Sequence, residues 1–373
     1  MKIAIASDAW TPQVNGVVRT LTSTVAELDR AGHEVEMITP DRFMTVPLPG
    51  YASIRLALAP RFGVRRMLDA FQPDVVHIST EGPIGWSVRG WCLRNHVPFT
   101  TAFHTRFPDY AAVRTGINAE RFWPIMRRFH APSSAVLVAT PSLAAELKAR
   151  GFGPTRIWSR GIDHWLFRRE GDLHPAFADL PRPILINVGR VSAEKNLEAF
   201  LDLQAAGSKV VVGDGPQLDE LRARYPDAFF MGAMAGEELA AAYRSADCFV
   251  FPSRTDTFGL VVIEALASGL PVAAYPVTGP FDILGANGCG SAGHVSGPVG
   301  ALDEDLQAAV ERALGLCPVA AAAFAQNFTW QNATMQFLAA LRTAIDDRQT
   351  LSAAAGAGVG IPLRYGTAEL SSI

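Results

Sequence analysis

Short apolar runs and longer amphipathic stretches alternate along most of the chain. Six runs in the first half are predicted to be strands, at residues 2–6, 34–39, 74–78, 97–101, 135–140 and 156–159. The stretches between them, such as 17–31 and 83–95, have the period of amphipathic helices. This order of strand, helix and strand predicts parallel βαβ units.

The second half has the same alternation. Strands are predicted at 184–188, 209–212, 228–231, 247–251 and 271–273, and helices at 194–203, 217–225, 237–245 and 260–268. The chain is therefore predicted to be an α/β protein with two parallel sheets in tandem. Because open parallel sheets bind ligands beyond the carboxyl ends of their strands, we expect the site in a cleft between two domains.

Composition suggests where these domains begin and end. A polar, charged and proline-containing stretch at 168–183 is predicted to be a linker. It divides an N-terminal domain at 1–167 from a C-terminal domain at 184–326. A further amphipathic helix is expected at 327–348, and the tail at 349–373, which has no periodicity, is expected to be mobile.

The charge of the chain is unevenly distributed. Its 373 residues include 33 Lys and Arg against 36 Asp and Glu, and the net charge of −3 disfavours a nucleic-acid partner. Residues 1–165 nevertheless carry an excess of six positive charges, and the remainder carries an excess of nine negative charges. The basic half is suited to binding an anionic surface.

Cysteine usage and hydropathy bear on the location of the protein. The four cysteines have neither disulfide nor zinc spacing, which favours a reduced cytosolic compartment. The chain opens directly into a predicted strand without a charged-then-apolar leader, and it has no run of about 18 apolar residues. We therefore expect a cytoplasmic protein that attaches to membranes only at their surface.

The stretch SRTDTFGLVVIEALASG at 253–269 carries the most chemical information. The helix predicted to begin near its centre leaves backbone N–H groups without acceptors, and such groups attract anions. They belong to Thr257, Phe258, Gly259 and Leu260. Asp256 and Glu264 flank this anion site, where a carboxylate can bind sugar or ribose hydroxyls. Alternatively, Asp256 lies near a helix cap and Glu264 lies on a solvated helix face.

Two turns earlier in the same half add to this site. Arg190 and Lys195 bracket the turn GRVSAEKN after a predicted strand, where two cations can neutralise a diphosphate; alternatively, both are surface cations. Gly213 and Gly215 form a tight turn after the next strand that lets a nucleotide come close, although such turns are common. The chain has neither GxGxxG opening a strand–helix unit nor GxxxxGK[ST], which argues against a dehydrogenase and a P-loop enzyme.

Two residues in the first half are placed to meet a substrate. Gly16 lies in the turn between the first strand and the first helix, where a phosphate can approach the helix N-terminus. His104 follows the strand at 97–101, so that its ring faces the expected cleft and can bind a hydroxyl. The alternatives are an ordinary βα turn capped by Asn15 and a structural histidine.

Two segments of the basic half combine cations with large apolar side chains. They lie at 61–68 and 121–129, and their residues Arg65, Arg66, Trp123, Arg127 and Arg128 are the candidates for contact with anionic lipid. The alternative is that both segments are ordinary amphipathic helices packed on a sheet.

Taken together, these motifs resemble the GT4 family of retaining nucleotide-sugar glycosyltransferases. The resemblance covers nearly the whole chain and rests on the order of Asn15-Gly16-Val17, the His104 segment, SRGID, GRVSAEKN, VGDGP and the 253–269 block. It implies the GT-B fold, in which two Rossmann-like domains with parallel sheets face each other across a cleft. The donor then binds the C-terminal domain, the acceptor binds the N-terminal domain, and the last helix crosses back.

The resemblance also implies roles for individual residues. Arg190 and Lys195 hold the donor diphosphate, Glu264 holds the ribose, and the amides at 258–260 hold the distal phosphate. Asp256 takes the place of the first acid in the family's E-x7-E pair, and it is one methylene shorter than the usual Glu. Gly16 lies by the phosphate and His104 by the transferred sugar. Neither a metal nor another cofactor is expected.

Within this family, the chain is expected to transfer glucose or glucuronate from a UDP-sugar to a membrane lipid such as diacylglycerol. It is expected to work at the inner face of the cell membrane. A GDP-mannose-dependent α-mannosyltransferase with a lipid or glycan acceptor is the first alternative. A nucleotide-sugar 2-epimerase and a non-catalytic scaffold that binds a sugar nucleotide are the others.

Overall fold

The computed structural model describes residues 1–13, 15–48, 51–290 and 297–356. The chain forms two compact units. The first comprises Met1–Ser159 together with the chain from Gln331 onward, and the second comprises Arg160–Trp330. Each contains a six-stranded sheet whose strands all pair in parallel. The predicted α/β class with two parallel sheets is therefore confirmed.

The first unit holds one parallel sheet and one hairpin. Its strands are β1 Lys2–Ala6, β2 Glu34–Ile38, β3 Thr45–Leu48, β4 Tyr51–Ala57, β5 Val75–Ile78, β6 Phe99–Ala102, β7 Val136–Val138 and β8 Thr155–Ile157. The order across the sheet is β2-β1-β5-β6-β7-β8. The chain therefore reverses its direction of travel across the sheet between β1 and β5.

Among the residues that the structure describes, seven α-helices belong to this unit. They are α1 Gly16–Arg30, α2 Arg61–Phe71, α3 Pro83–Asn95, α4 Phe107–Thr115, α5 Trp123–His130, α6 Pro141–Ala149 and, except for its first residue, α14 Trp330–Gly356. All four residues of β5 are buried, as expected for a central strand covered on both faces. The side chain of Asn15 caps α1 by accepting from the backbone N–H groups of Val17 and Val18, at 3.0 Å each.

The antiparallel hairpin of β3 and β4 is absent from the elements predicted above. Pro47 lies within β3, opposite Arg55. Because proline cannot donate to a strand ladder, it is tolerated in such a two-stranded edge but interrupts the alternation by which strands are recognised.

The described part of the second unit has six strands and seven α-helices. The strands are β9 Ile184–Val188, β10 Ser208–Val212, β11 Phe229–Gly232, β12 Cys248–Phe251, β13 Val272–Ala274 and β14 Gly300–Leu302. The helices are α7 Leu197–Leu201, α8 Leu218–Arg224, α9 Gly236–Ser245, α10 Leu260–Ala267, α11 Thr278–Leu284, α12 Leu306–Ala313 and α13 Pro318–Ala325. The sheet order is β11-β10-β9-β12-β13-β14, which is the order of dinucleotide-binding Rossmann domains.

The predicted linker at 168–183 is wrong in position. The unit boundary falls at 159/160, and the stretch is bound to the second unit by its polar side chains. Arg182 pairs with Asp247 at 2.6 Å, and the backbone N–H of His174 donates to Ser245 Oγ at 2.8 Å. Polar composition suggested a linker, whereas Arg182 and His174 have partners within the second unit, at Asp247 directly before β12 and at Ser245 in α9.

Two other predicted elements differ in extent. The helix expected at 194–203 is split into a 3₁₀ turn, Ala193–Lys195, and α7, because Asn196 between them has a left-handed backbone with φ 55°. The final helix, expected to end at 348, continues to Gly356, which agrees with the high helix propensity of its alanines. The rest of the predicted mobile tail, 357–373, lies outside the described residues.

The length and apolar composition of the described helices bear on whether any of them could cross a membrane. None of them by itself is long and apolar enough to cross a membrane. Only α12 and α13 reach the length and apolar composition when taken together, and they meet at a bend of 99°.

Candidate active site

Polar side chains gather where the second sheet reverses its strand order, between β9 and β12. In open parallel sheets, a crevice for ligands forms at this reversal, beyond the carboxyl ends of the two strands. The β9 loop carries Arg190 and Lys195, and the β12 loop carries Asp256. The strand order thus brings together two stretches that are about 60 residues apart in the chain.

The best-defined contact between these loops is an ion pair. Lys195 Nζ donates to both carboxylate oxygens of Asp256, at 2.6 and 2.9 Å. The side chains are 25% and 17% exposed, so the pair is partly shielded from water. Two of the three ammonium protons are used in this way, so the ammonium group is held against the β12 loop.

Further hydrogen bonds fix the two loops against each other. Asn196 Nδ2 donates to the Pro252 carbonyl at 3.1 Å, and Thr255 Oγ1 donates to the Glu194 carbonyl at 3.3 Å. The left-handed backbone of Asn196 turns its side chain into this contact. Lys195 and Asp256 are therefore presented by a braced pair of loops rather than by separate flexible turns.

Gly213 and Gly215 lie in the loop after β10, next to β9. A Cβ on Gly213 would overlap the carbonyl oxygen of Gly189, and one on Gly215 would overlap the carbonyl of Val191. Backbone hydrogen bonds tie the same loops, with Val191 N–H donating to the Asp214 carbonyl at 2.9 Å. Close approach is thus required at both glycines by the protein's own chain, and their role in binding a nucleotide stays a prediction.

The helix predicted to begin near Leu260 is confirmed as α10. Gly259 precedes it with φ +89°, a conformation that disfavours residues with a side chain, and a Cβ there would lie 3.1 Å from the Phe251 ring. Phe258 is buried, with its ring centroid 6.2 Å from that of Phe328. The backbone N–H groups of the first turn of α10 begin beside the β12 loop, as the anion site requires.

Glu264 does not lie on a solvated helix face, and that alternative is wrong. The residue is only 1% exposed, and the buried Tyr243 hydroxyl of α9 donates to its Oε2 at 3.2 Å. A buried carboxylate is costly unless it has partners, so this position suits specific recognition better than solubility. Tyr243 was not among the predicted site residues, because it lies on a different helix, 21 residues before Glu264 in the chain.

The first sheet reverses its order between β1 and β5, and polar groups gather there too. Asp8 follows β1, and its carboxylate accepts from Thr80 Oγ1 at 2.9 Å and from the N–H groups of Ile84 and Gly85 at 2.8 and 3.2 Å. It therefore caps α3. Burial is the main cause that raises the pKa of Asp8, and the nearby charge of Glu81 raises it further.

Glu81 and His130 form a second polar pair near this reversal. The Nε2 atom of His130 lies 3.2 Å from Glu81 Oε1, and its Nδ1 lies 2.8 Å from Thr101 Oγ1. The imidazole is completely buried, whereas the Glu81 side chain is 18% exposed. Sequence reasoning missed Asp8, Glu81 and His130, because each depends on partners from distant strands.

The predicted residues Gly16 and His104 lie at the same carboxyl edge of the sheet. Gly16 is the exposed first residue of α1, directly after its cap. His104 follows β6, and its half-buried ring packs edge-on against Trp158 with centroids 5.4 Å apart. Both positions are compatible with the predicted contacts to phosphate and sugar, which remain predictions.

The two segments proposed to contact lipid differ in their exposed residues. On α2, Arg65 and Arg66 are exposed beside Phe62, which is 83% exposed. On α5, Arg127 and Arg128 are exposed, but Trp123 is not. It is buried against Phe103, and the Arg150 guanidinium lies over its ring at 4.0 Å. The prediction that Trp123 contacts lipid is therefore wrong, because its ring forms part of the core.

Comparison with known proteins agrees with this geometry. Residues 14–166 match the family model described as Glycosyltransferase Family 4, and 182–315 match Glycosyl transferases group 1. A GDP-mannose-dependent alpha-mannosyltransferase of Mycobacterium tuberculosis is 33% identical over an alignment of 308 residues that covers 76% of this chain and 81% of the relative. The chain belongs to glycosyltransferase family 4. It is a glycosyltransferase, as predicted from its motifs.

Two other similar proteins bear on acceptor and fold. An alpha-monoglucosyldiacylglycerol synthase of Streptococcus pneumoniae is 27% identical over 316 residues, covering 74% of this chain and 71% of that protein. The solved structure of sucrose-phosphate synthase from Thermosynechococcus elongatus has a TM-score of 0.63 at 22% identity, over 95% of this chain and 99% of the other. The fold of this glycosyltransferase is therefore GT-B.

Proposed function

We propose that this glycosyltransferase moves a hexose from a nucleotide diphosphate sugar to a hydroxyl group of a membrane lipid, with retention of the anomeric configuration. The observation that carries the proposal is the Lys195–Asp256 ion pair at the strand-order reversal of the second sheet. An ammonium group held in this way is aimed before the donor arrives, and such preorganisation is the main source of electrostatic catalysis.

The donor is proposed to bind at this reversal. Arg190 and the Lys195 ammonium group would contact the diphosphate, and the first N–H groups of α10 would contact its distal phosphate. Glu264, whose carboxylate is held by Tyr243, would accept the ribose hydroxyls. These assignments support one another because all four groups belong to the loops and helix that the β9–β12 reversal brings together.

In the proposed chemical step, the acceptor approaches from the side of the leaving group. The bond between the anomeric carbon and the phosphate oxygen breaks while the acceptor oxygen attacks from the same face. The acceptor's hydroxyl proton passes to the departing phosphate oxygen, so that charge and atoms balance. Cations and amides fixed around the diphosphate stabilise the negative charge that develops there. His104 would bind a hydroxyl of the transferred sugar.

No metal is proposed to take part in this step. Among the residues that the structure describes, no three His, Cys, Asp or Glu side chains lie close enough together to hold a metal ion. Arg190 and Lys195 would supply the positive charge instead. Transfer should therefore continue in excess EDTA, and a loss of activity that Mg²⁺ or Mn²⁺ restores would contradict this part of the proposal.

Different relatives support different activities. GDP-mannose is the donor named for the relative at 33% identity, whereas the relative at 27% is named for its product, alpha-monoglucosyldiacylglycerol. The test is a matrix of UDP-glucose, UDP-glucuronate and GDP-mannose against dioleoylglycerol, phosphatidylinositol and glycerol, with product mass as the readout. A glycolipid product supports the proposal, while interconversion of sugar nucleotides without acceptor would indicate an epimerase, and donor binding without turnover a scaffold.

Arg190 provides a direct test of the donor site. Changing Arg190 to Ala should lower transfer by two or more orders of magnitude while the protein stays folded, because one cation at a developing charge is worth about 3–4 kcal/mol. Arg312→Ala is a matched control, since Arg312 lies in the same unit and pairs with Asp303. Equal activity of the two variants would contradict the role of Arg190.

Membrane attachment is proposed through a surface on α2 and the hairpin base, which we call the α2 surface. It consists of the exposed apolar residues Met44, Leu58 and Phe62 with Arg61, Arg65 and Arg66. Leu58 N–H donates to the Met44 carbonyl at 2.8 Å, and a Cβ on Gly63 would lie 2.7 Å from the Phe43 ring, so the hairpin base and α2 are in contact. Apolar residues among cations suit a surface of anionic lipid.

A flotation assay tests whether the α2 surface or α5 binds the membrane. Each cation near an anionic bilayer contributes about 1 kcal/mol, so changing Phe62, Arg61 and Arg66 to Ser should reduce binding to phosphatidylglycerol vesicles by at least tenfold. The matched variant Arg127→Ser with Arg128→Ser should bind much as the unchanged protein does. If only the second variant loses binding, the docking surface is α5 instead.

A further inference from the structure

Glu81 lies where the first sheet can receive a ligand. It follows β5, and the reversal of strand order between β1 and β5 opens a crevice beyond the carboxyl ends of these strands. The register aligns Ile78, near the end of β5, with Thr101 on β6, so Glu81 and His104 follow the ends of neighbouring strands. A carboxylate and an imidazole are therefore presented at one edge of the first unit.

The carboxylate of Glu81 is held rigidly. Its Oε1 lies 3.2 Å from Nε2 of the buried His130, and the His130 ring is held in turn through Nδ1 by Thr101 Oγ1 at 2.8 Å. The backbone beside it is also fixed, because Thr80 binds Asp8 and a Cβ on Gly82 would overlap the Asp8 carboxyl group. A side chain braced from within the core in this way has lost most of its rotamer freedom before a ligand arrives.

Placing the Glu81 carboxylate near Asp8 does not favour the stability of the fold. Asp8 lies close enough for the charge of Glu81 to raise its pKa, so the two carboxyl groups repel each other when both are ionised. The Glu81 side chain is nevertheless 18% exposed, so solvent or a ligand can reach part of it. Among the described residues, His130 is the hydrogen-bond partner of Glu81, through Oε1.

We propose that Glu81 is an acceptor-binding carboxylate, whose Oε2 accepts a hydrogen bond from a hydroxyl of a polyol group on the acceptor. His130 is its positioning residue. The inference rests on the proposed function, because it assigns the acceptor to this edge of the first unit. A carboxylate suits such a group since it accepts strong hydrogen bonds from hydroxyl donors and rejects phosphates and other anions.

The first experiment measures binding without turnover. Saturation-transfer NMR with glycerol and with myo-inositol should give signals from the unchanged protein that fall at least fivefold in Glu81→Gln. The matched control is Glu34→Gln, at the first residue of β2 and hence at the opposite edge of the same sheet, where the side chain is 61% exposed. Equal signals from Glu81→Gln and the unchanged protein, or no signal from the unchanged protein, would overturn the proposal.

A pair of His130 variants tests the positioning role. Glutamine places its amide near the position of Nε2 and keeps the donor to Glu81, whereas asparagine mimics Nδ1 and keeps only the contact to Thr101. The polyol signals should therefore survive in His130→Gln and fall in His130→Asn. Equal losses in both variants would mean that His130 is structural only and would overturn its part of the proposal.

Kinetics distinguish this inference from the proposed function. In Glu81→Gln, the acceptor KM should rise at least tenfold, while hydrolysis of the donor in the absence of acceptor and the donor KM stay within twofold. An unchanged acceptor KM would overturn the inference and leave the proposed function standing. Failure of the unchanged protein to bind any of the three donors would instead refute the proposed donor site, whatever the polyol signals show.

Discussion

The ion pair between Lys195 and Asp256 allows a sharp test of the donor site. The perturbation is a double-mutant cycle made of Lys195→Met, Asp256→Asn and the double variant. Asparagine keeps the shape of Asp256 while removing its charge, and methionine keeps most of the apolar stem of Lys195. The cycle isolates the energy of the pair from the other contacts of each side chain.

The contribution of the pair to stability follows from its geometry. At N–O distances of 2.6 and 2.9 Å, and an effective dielectric constant of about 20, the attraction is roughly 6 kcal/mol. Desolvation and the ordering of two side chains offset most of this energy. Because the side chains are only 25% and 17% exposed, we expect a coupling energy of about 1–2 kcal/mol, above the range for fully exposed pairs.

The same cycle has a different outcome in activity. Lys195→Met removes a cation from the diphosphate and should lower kcat/KM about 10³-fold. Asp256→Asn leaves the cation but no longer holds it in position, and it should lower kcat/KM about 10- to 50-fold. The double variant should be no worse than Lys195→Met, because without the ammonium group the carboxylate has nothing to position.

The assays are urea unfolding for stability and transfer kinetics with the best donor for activity. Arg312→Ala serves again as the control for loss of a cation elsewhere in the second unit. Strictly additive losses of activity in the double variant would refute the reasoning, because Lys195 and Asp256 would then act on the substrate independently. A stability coupling near zero would show that the pair does not persist in solution.

Three further predictions concern packing and burial. Gly213→Ala should destabilise the protein by about 3 kcal/mol or more in urea unfolding, because its Cβ would overlap the backbone of the β9 loop. Gly153 has open space around it, so Gly153→Ala should change the free energy of unfolding by less than about 0.5 kcal/mol. Trp123→Ala should cost about 3–5 kcal/mol without weakening vesicle binding, whereas Ile125→Ala at an exposed position of α5 should cost little; equal effects would argue against a core role for the tryptophan. Burial raises the pKa of Asp8 above its ordinary 3.8, so the stability that depends on its protonated form is lost as the pH rises through the folded-state pKa. The stability of Asp8→Asn should lack this decline as the pH rises above 3.8, and parallel pH profiles of the two proteins would contradict the prediction.

Much of the fold and part of the site were predictable from the sequence because they depend on local rules. The apolar runs of β9 and β12, the helix after Gly259 and the cap at Asn15 each follow from residues within one or two turns. The order of motifs along the chain was sufficient to indicate the family, which the comparisons confirm. Nothing in these features requires knowing which strand lies beside which.

Predictions failed where composition was the only guide. The polar stretch at 168–183 belongs to the second unit, because Arg182 finds Asp247 and His174 finds Ser245. Trp123 has the residue type and neighbours of a lipid-binding segment, but its face of α5 is turned into the core. In both cases a short stretch was compatible with two environments, and packing against distant residues decided between them.

The chain's own pattern thus determined its class, its two parallel sheets and the stretches that carry charge, since periodicity and turn chemistry act over a few residues. Tertiary structure alone decided the partners: Lys195 with Asp256, Tyr243 with Glu264, and His130 with Glu81. These pairs join residues 61, 21 and 49 positions apart. Their formation depends on strand order and helix packing, which arise from burying the whole apolar surface at once rather than from any single segment.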